Sequence, residues 1–167
     1  MPDAIDWNDW ERRLADLWAA FDTINAETFI ARIDALAAEL PPDDTIGLFE
    51  RGCAQDSTGH EASAERLYRQ SLANGLTGIR RRRATIQLAS TLRNLGRADE
   101  GVALLVVERT RPSDDLDDAV SAFLALCLVD AGRAKEAAGL ALGSLSRHLP
   151  RYNRSLKRYA DSLLPDM

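Results

Sequence analysis

A chain of 167 residues with 46% hydrophobic and 28% charged content can bury one substantial core, or an elongated stack of elements sharing a continuous one. Its net charge of −5 is unevenly spread: residues 1–75 carry 15 Asp and Glu against 6 Lys and Arg, whereas residues 76–167 carry 11 against 15. No apolar run reaches the roughly 20 residues that span a bilayer, and MPDAIDWNDWERR lacks the basic-then-apolar order of a secretion signal, so a cytoplasmic protein with no membrane partner is expected.

In chain order, Asp6 reads as an N-cap, and Trp7, Trp10, Leu14, Leu17, Trp18 and Phe21 follow at helical spacing. A tryptophan-rich stripe of this kind belongs against the next helix. That helix runs from about Ala26 to Leu40 with Phe29, Ile33, Leu36 and Leu40 inward, and Pro41-Pro42 ends it. Asp43-Asp44 then cap a third helix from Thr45 to about Asp56. Downstream, Gly78 to Arg109 forms a helical hairpin about Gly96, with Ala84, Leu88, Leu92 and Leu95 on one side of the first helix and Val102, Leu105 and Val106 on the second. Further core positions are Leu67, Leu72, Leu124, Leu128, Leu140 and Leu145. From Pro150 to Leu164 a last helix would bury Tyr152, Leu156, Tyr159 and Leu163 and expose Arg151, Arg154, Lys157 and Arg158.

An internal repeat underlies this order. Gly59, Gly96 and Gly132 each end one helix and precede another, at spacings of 37 and 36 residues. Seven residues before each stands a small residue, Gly52, Ala89 or Ala125, and five after stands another, Ala64, Gly101 or Ala137. Nine after are Tyr68, Leu105 and Ala141, twelve after are Ser71, Glu108 and Ser144, and Pro112 and Pro150 close the second and third units. These offsets resemble the tetratricopeptide repeat over about Thr45 to Pro150, and LASTLRNLGR and LCLVDAGRAKEAA resemble a bacterial group of short proteins in that family. Arg51 and Glu108 depart from the pattern, which prefers leucine at the first and a small residue at the second. The spacing also exceeds the 34-residue unit, so longer connections between repeats are expected.

The resemblance implies an all-α, right-handed superhelix of about three hairpins, residues 42–150, with an N-terminal helix pair in 1–41 and a C-terminal capping helix in 151–167, all in one structural domain. It also implies a concave groove lined by positions thirteen, ten, six, three and two residues before each turn glycine. The groove residues carried over are Ile46, Phe49, Cys53, Asp56 and Ser57 in the first repeat, Arg83, Ile86, Ser90, Arg93 and Asn94 in the second, and Ala119, Ala122, Leu126, Val129 and Asp130 in the third. Gln87 joins them, because Arg83, Gln87, Ser90 and Asn94 form a polar ridge on one helix. Such a groove implies a protein- or peptide-binding adaptor whose partner presents carboxylates or backbone acceptors. The Lys/Asn clamp by which some members hold a chaperone's C-terminal carboxylate is absent, Phe49 and Cys53 standing in the first-repeat groove.

The opposed charges of the two halves make a homodimer a further expectation. A polyanion or nucleic acid bound through Arg80–Arg82 and Arg151–Arg158 ranks below a protein partner, since the four successive arginines Arg80–Arg83 fan around a helix. Catalysis ranks last. His60 and His148 lie in different repeats, Cys53 and Cys127 lack zinc-ligand spacing, and no Gly-rich phosphate loop, HExxH or CxxC occurs, so no metal, cofactor or catalytic residue is expected beyond a remote Cys53, Asp56 and Arg93 constellation.

Overall fold

A computed structural model describes residues 5–165. The described residues form nine α-helices, one 3₁₀ turn at Phe21–Thr23 and no strand: α1 Trp7–Ala19, α2 Ala26–Ala37, α3 Thr45–Ser57, α4 Glu61–Ala73, α5 Gly78–Asn94, α6 Ala98–Glu108, α7 Asp117–Asp130, α8 Ala134–Ser146 and α9 Asn153–Asp161. The chain divides into two compact units, residues 1–84 and 85–167, and the division falls within α5.

Local chemistry explains where the helices begin and end. The Asp6 carboxylate accepts from the amides of Asn8 and Asp9, Asn25 accepts from Thr28, and Asp44 accepts from Ile46 and Gly47 at 2.9 Å each. These bonds satisfy amides that have no partner within the helix. The hairpin turns of the repeats are built alike three times. Gly59, Gly96 and Gly132 have φ of 79, 76 and 78°, and the amide after each reaches back to the carbonyl of Gln55, Leu92 or Leu128. This is a Schellman closure, which needs a left-handed residue. Gly96→Ala should cost about 1 kcal/mol, read as a lower urea midpoint at unchanged m.

In the first unit α1 packs on α2, α2 on α3 and α3 on α4. Trp10, Leu14, Phe29, Ile33, Leu36, Leu40 and Ala54 form its N-terminal core, and the Trp10 indole donates to the Leu36 carbonyl at 3.1 Å. Trp18 and Phe29 meet edge to face at 4.9 Å, so the tryptophan stripe does pack inward, apart from the half-exposed Trp7. Arg51 breaks the leucine preference of the repeat because its guanidinium pairs at 2.7 Å with Asp34 of α2. Its position is therefore used to join the N-terminal helix pair to the repeats.

The second unit packs α6 on α7, α7 on α8 and α8 on α9 around Ile86, Val102, Leu105, Val120, Leu124, Leu128 and Leu140. Close approach requires its small residues. A Cβ at Gly101 would lie 2.8 Å from Cys127 Sγ and 2.9 Å from the Ala89 carbonyl. Connections between repeats are longest at residues 109–116, ahead of α7.

Two sequence expectations are corrected here. Leu95, Val106 and Leu145 are 37, 48 and 49% exposed, because the buried face of α6 passes through Ala98, Gly101, Val102, Leu105 and Glu108, and Leu95 lies in the turn beyond α5. Tyr152 and Tyr159 are also exposed, at 78 and 60%, whereas Ala160 is fully buried. Ala160 of α9, with Leu163 and Leu164 just beyond its end, meets Gly139 of α8, and a backbone this close leaves no room for a ring. The Arg80–Arg83 run fans around its helix, as successive helical positions must. Arg80 is bound by Glu50 and Glu11, Arg82 is buried, and Arg83 alone is exposed.

Candidate functional site

The residues assigned to a groove fall in both units, and each set has its own surroundings. In the first unit Phe49 and Cys53 are buried on α3, and Asp56 accepts from the Tyr68 hydroxyl at 3.2 Å. The Arg83 guanidinium lies over the Phe49 ring at 5.2 Å from its centroid, a cation–π contact with the cation on the exposed side. Phe49 and Cys53 are thus core side chains, and Arg83 and Asp56 are what this region offers to solvent.

Cys53 has little nucleophilic character. Burial, reinforced by the nearby Glu50 charge, pushes its thiol up to about 12, and burial raises the Tyr68 phenol as well. The thiolate is the reactive form, so a thiol with this pKa stays protonated at neutral pH. Cys127, equally buried, is shifted upward by burial too. The folded protein should react with a thiol reagent at pH 8 far more slowly than the urea-unfolded chain. Fast labelling of one thiol in the folded protein would contradict the buried position of Cys53 or Cys127.

In the second unit, α5 and α7 run side by side. The Cys127 thiol faces the Ala89 carbonyl at 3.7 Å, and one turn further along each helix Arg93 Nε lies 2.7 Å from Asp130 Oδ2. This ion pair is half exposed, with side-chain accessibilities of 29 and 40%. On α5, Gln87 and Ser90 are half-buried and Asn94 is exposed, while Ile86 points into the core. On α7, Ala122, Leu126 and Val129 recur at i, i+4 and i+7 and are exposed, Leu126 at 43% and Val129 at 51%. A polar edge from α5 thus lies beside an apolar ridge from α7, bridged by the Arg93–Asp130 pair. Ala122, Leu126 and Val129 are three of the third-repeat groove positions that the repeat pattern implies, and they are apolar where a solvated helix face would be polar.

A family model described as tetratrico peptide repeat matches residues 45–163. The chain belongs to this family. Comparison with curated proteins and with solved structures found no match. Tetratricopeptide-repeat proteins generally mediate protein–protein interactions and are typically adaptors without enzymatic activity. The match begins at the first residue of α3 and extends through α9, so α1 and α2 stand outside it. Among the described residues, no helix is long and apolar enough to cross a membrane.

Proposed function

We propose that this tetratricopeptide-repeat protein is a protein-binding adaptor that uses the α5–α7 face of its second unit to hold an extended segment of a partner. The observation that carries this reading is the exposed apolar ridge of Ala122, Leu126 and Val129 beside the polar Ser90, Arg93, Asn94 and Asp130. An extended chain presents amides and side chains alternately, so it can place an apolar side chain on the ridge and backbone groups on the polar edge. Because Asp130 already neutralises Arg93, the pair offers one donor group and one acceptor group. It suits a peptide backbone better than a bare carboxylate, which would meet Asp130 at close range.

The test is capture from a lysate of the native organism by the full chain and by two variants. Leu126→Asp/Val129→Asp should lose the specifically bound proteins, because each buried apolar side chain contributes about 1.5–3 kcal/mol and the new charges oppose desolvation. Val106→Asp/Val107→Asp, on the exposed side of α6, should retain them. Moderate salt should leave binding largely intact, since the apolar contact is not screened. Equal retention by both variants, with circular dichroism unchanged, would overturn the assignment.

A further inference from the structure

The helix that ends the second unit carries a surface of a different chemistry. Between Ala137 and Ala160 the sequence contains no Asp or Glu but five Lys and Arg, at Arg147, Arg151, Arg154, Lys157 and Arg158. Two of these are paired, Arg147 with Asp118 and Lys157 with Asp161. Arg151, Arg154 and Arg158 have no carboxylate partner among the described residues, and all three are exposed. Exposed alongside them are the Tyr152 and Tyr159 rings, with the Arg158 guanidinium 5.2 Å from the centroid of Tyr159.

The arrangement follows from how α9 is seated. Its small and aliphatic residues face Gly139 of α8, so the opposite side is left with Arg154, Ser155, Arg158, Tyr159 and Ser162 at i, i+1, i+4, i+5 and i+8. Arg154 and Arg158 are one turn apart, a rise of about 5.4–6 Å. Tyr152 stands at the head of the helix with φ 64°, a left-handed conformation that disfavours a bulky side chain. Two large rings and three guanidiniums are therefore exposed on α9 and in the two residues that lead into it, where an ordinary solvated helix would place small or mixed-charge residues.

We propose that this face of α9, together with Arg151 and Tyr152, binds single-stranded nucleic acid. The guanidiniums take backbone phosphates and the tyrosine rings stack on bases, a combination that tolerates any sequence. A duplex keeps its base faces closed, so the rings would find no partner there. An acidic peptide could satisfy the arginines but would leave both rings without a stacking surface. The chain's net charge of −5 does not oppose this, since charges more than about 8–10 Å away are largely screened at physiological salt.

Fluorescence anisotropy of the full chain with a labelled 12-nucleotide oligothymidine, from 20 to 200 mM salt, tests the proposal. Three phosphate contacts at about 0.7 each give an expected slope of log K on log salt of about −2. Arg154→Ala/Arg158→Ala should reduce that slope to about −0.7. Tyr159→Ala should weaken binding about tenfold at every salt concentration and leave the slope unchanged. All these positions are exposed, and unchanged circular dichroism would verify the fold. The proposal is overturned if no binding occurs at 20 mM salt, if Tyr159→Ala binds like the unaltered chain, or if polyglutamate of equal length competes as well as the oligonucleotide.

Discussion

Leu124→Ala is expected to lower the stability of the second unit by about 2–5 kcal/mol, with a lower urea midpoint and an unchanged m value. Leu124 is 1% exposed and stands in the cluster formed by Val102, Leu105, Val120, Leu128 and Leu140. Truncation removes the transfer energy of three carbons and leaves a cavity that helices already in close contact at Gly101 and Gly139 cannot collapse to fill. All three tryptophans lie in the first unit, so far-ultraviolet circular dichroism is the appropriate probe. Leu126→Ala, two residues along the same helix but 43% exposed, should cost less than about 1 kcal/mol. Equal losses at the two positions would contradict the assigned face of α7.

Glu50→Leu is expected to cost about 3 kcal/mol in the first unit. The Glu50 side chain is 3% exposed and accepts from Arg80 at 3.0 Å and from the Trp18 indole at 3.3 Å, and Arg80 also holds Glu11 at 2.7 Å. Removing Glu50 leaves a mostly buried guanidinium with one remaining, half-exposed partner. Breaking a buried pair in this way costs about 3–5 kcal/mol, and Glu11 places the loss at the lower end. Replacing both charges removes the uncompensated cation, so Glu50→Leu/Arg80→Met should be more stable than Glu50→Leu alone. A double variant no more stable than the single one would show that the cost lies in packing.

Much of the fold was legible because it rests on local chemistry. Asp6 and Asp44 are caps on their own evidence, Pro41-Pro42 forbids continuation of α2, and Gly59, Gly96 and Gly132 stand where a left-handed residue closes a hairpin. Features that depend on a distant neighbour were less readable. The pattern puts Tyr152, Leu156, Tyr159 and Leu163 on the buried face of the last helix; Leu163 does pack at Gly139, whereas the closeness of that backbone selects Ala160 over the two rings. Burial of Glu50 depends on Arg80, thirty residues away in sequence. The candidate site divides on the same principle. The polar character of Ser90, Arg93 and Asn94 could be read from one helix, but the Arg93–Asp130 pair required knowing that α5 and α7 are neighbours. Phe49, Cys53 and Ile86 carried family groove positions, yet their side chains are buried, since a repeat pattern marks a helix face without showing what covers it.

The claim that the α5–α7 face contacts a protein partner is tested most directly by crosslinking from single positions in living cells. A photoreactive phenylalanine analogue would be placed at Leu126, at Asn94, and as a control at Val107 on the exposed side of α6, 59% accessible. The expected result is one common protein crosslinked from Leu126 and Asn94 and absent from Val107. Crosslinking of the same protein from Val107 alone, or only non-specific products from all three positions, would contradict it.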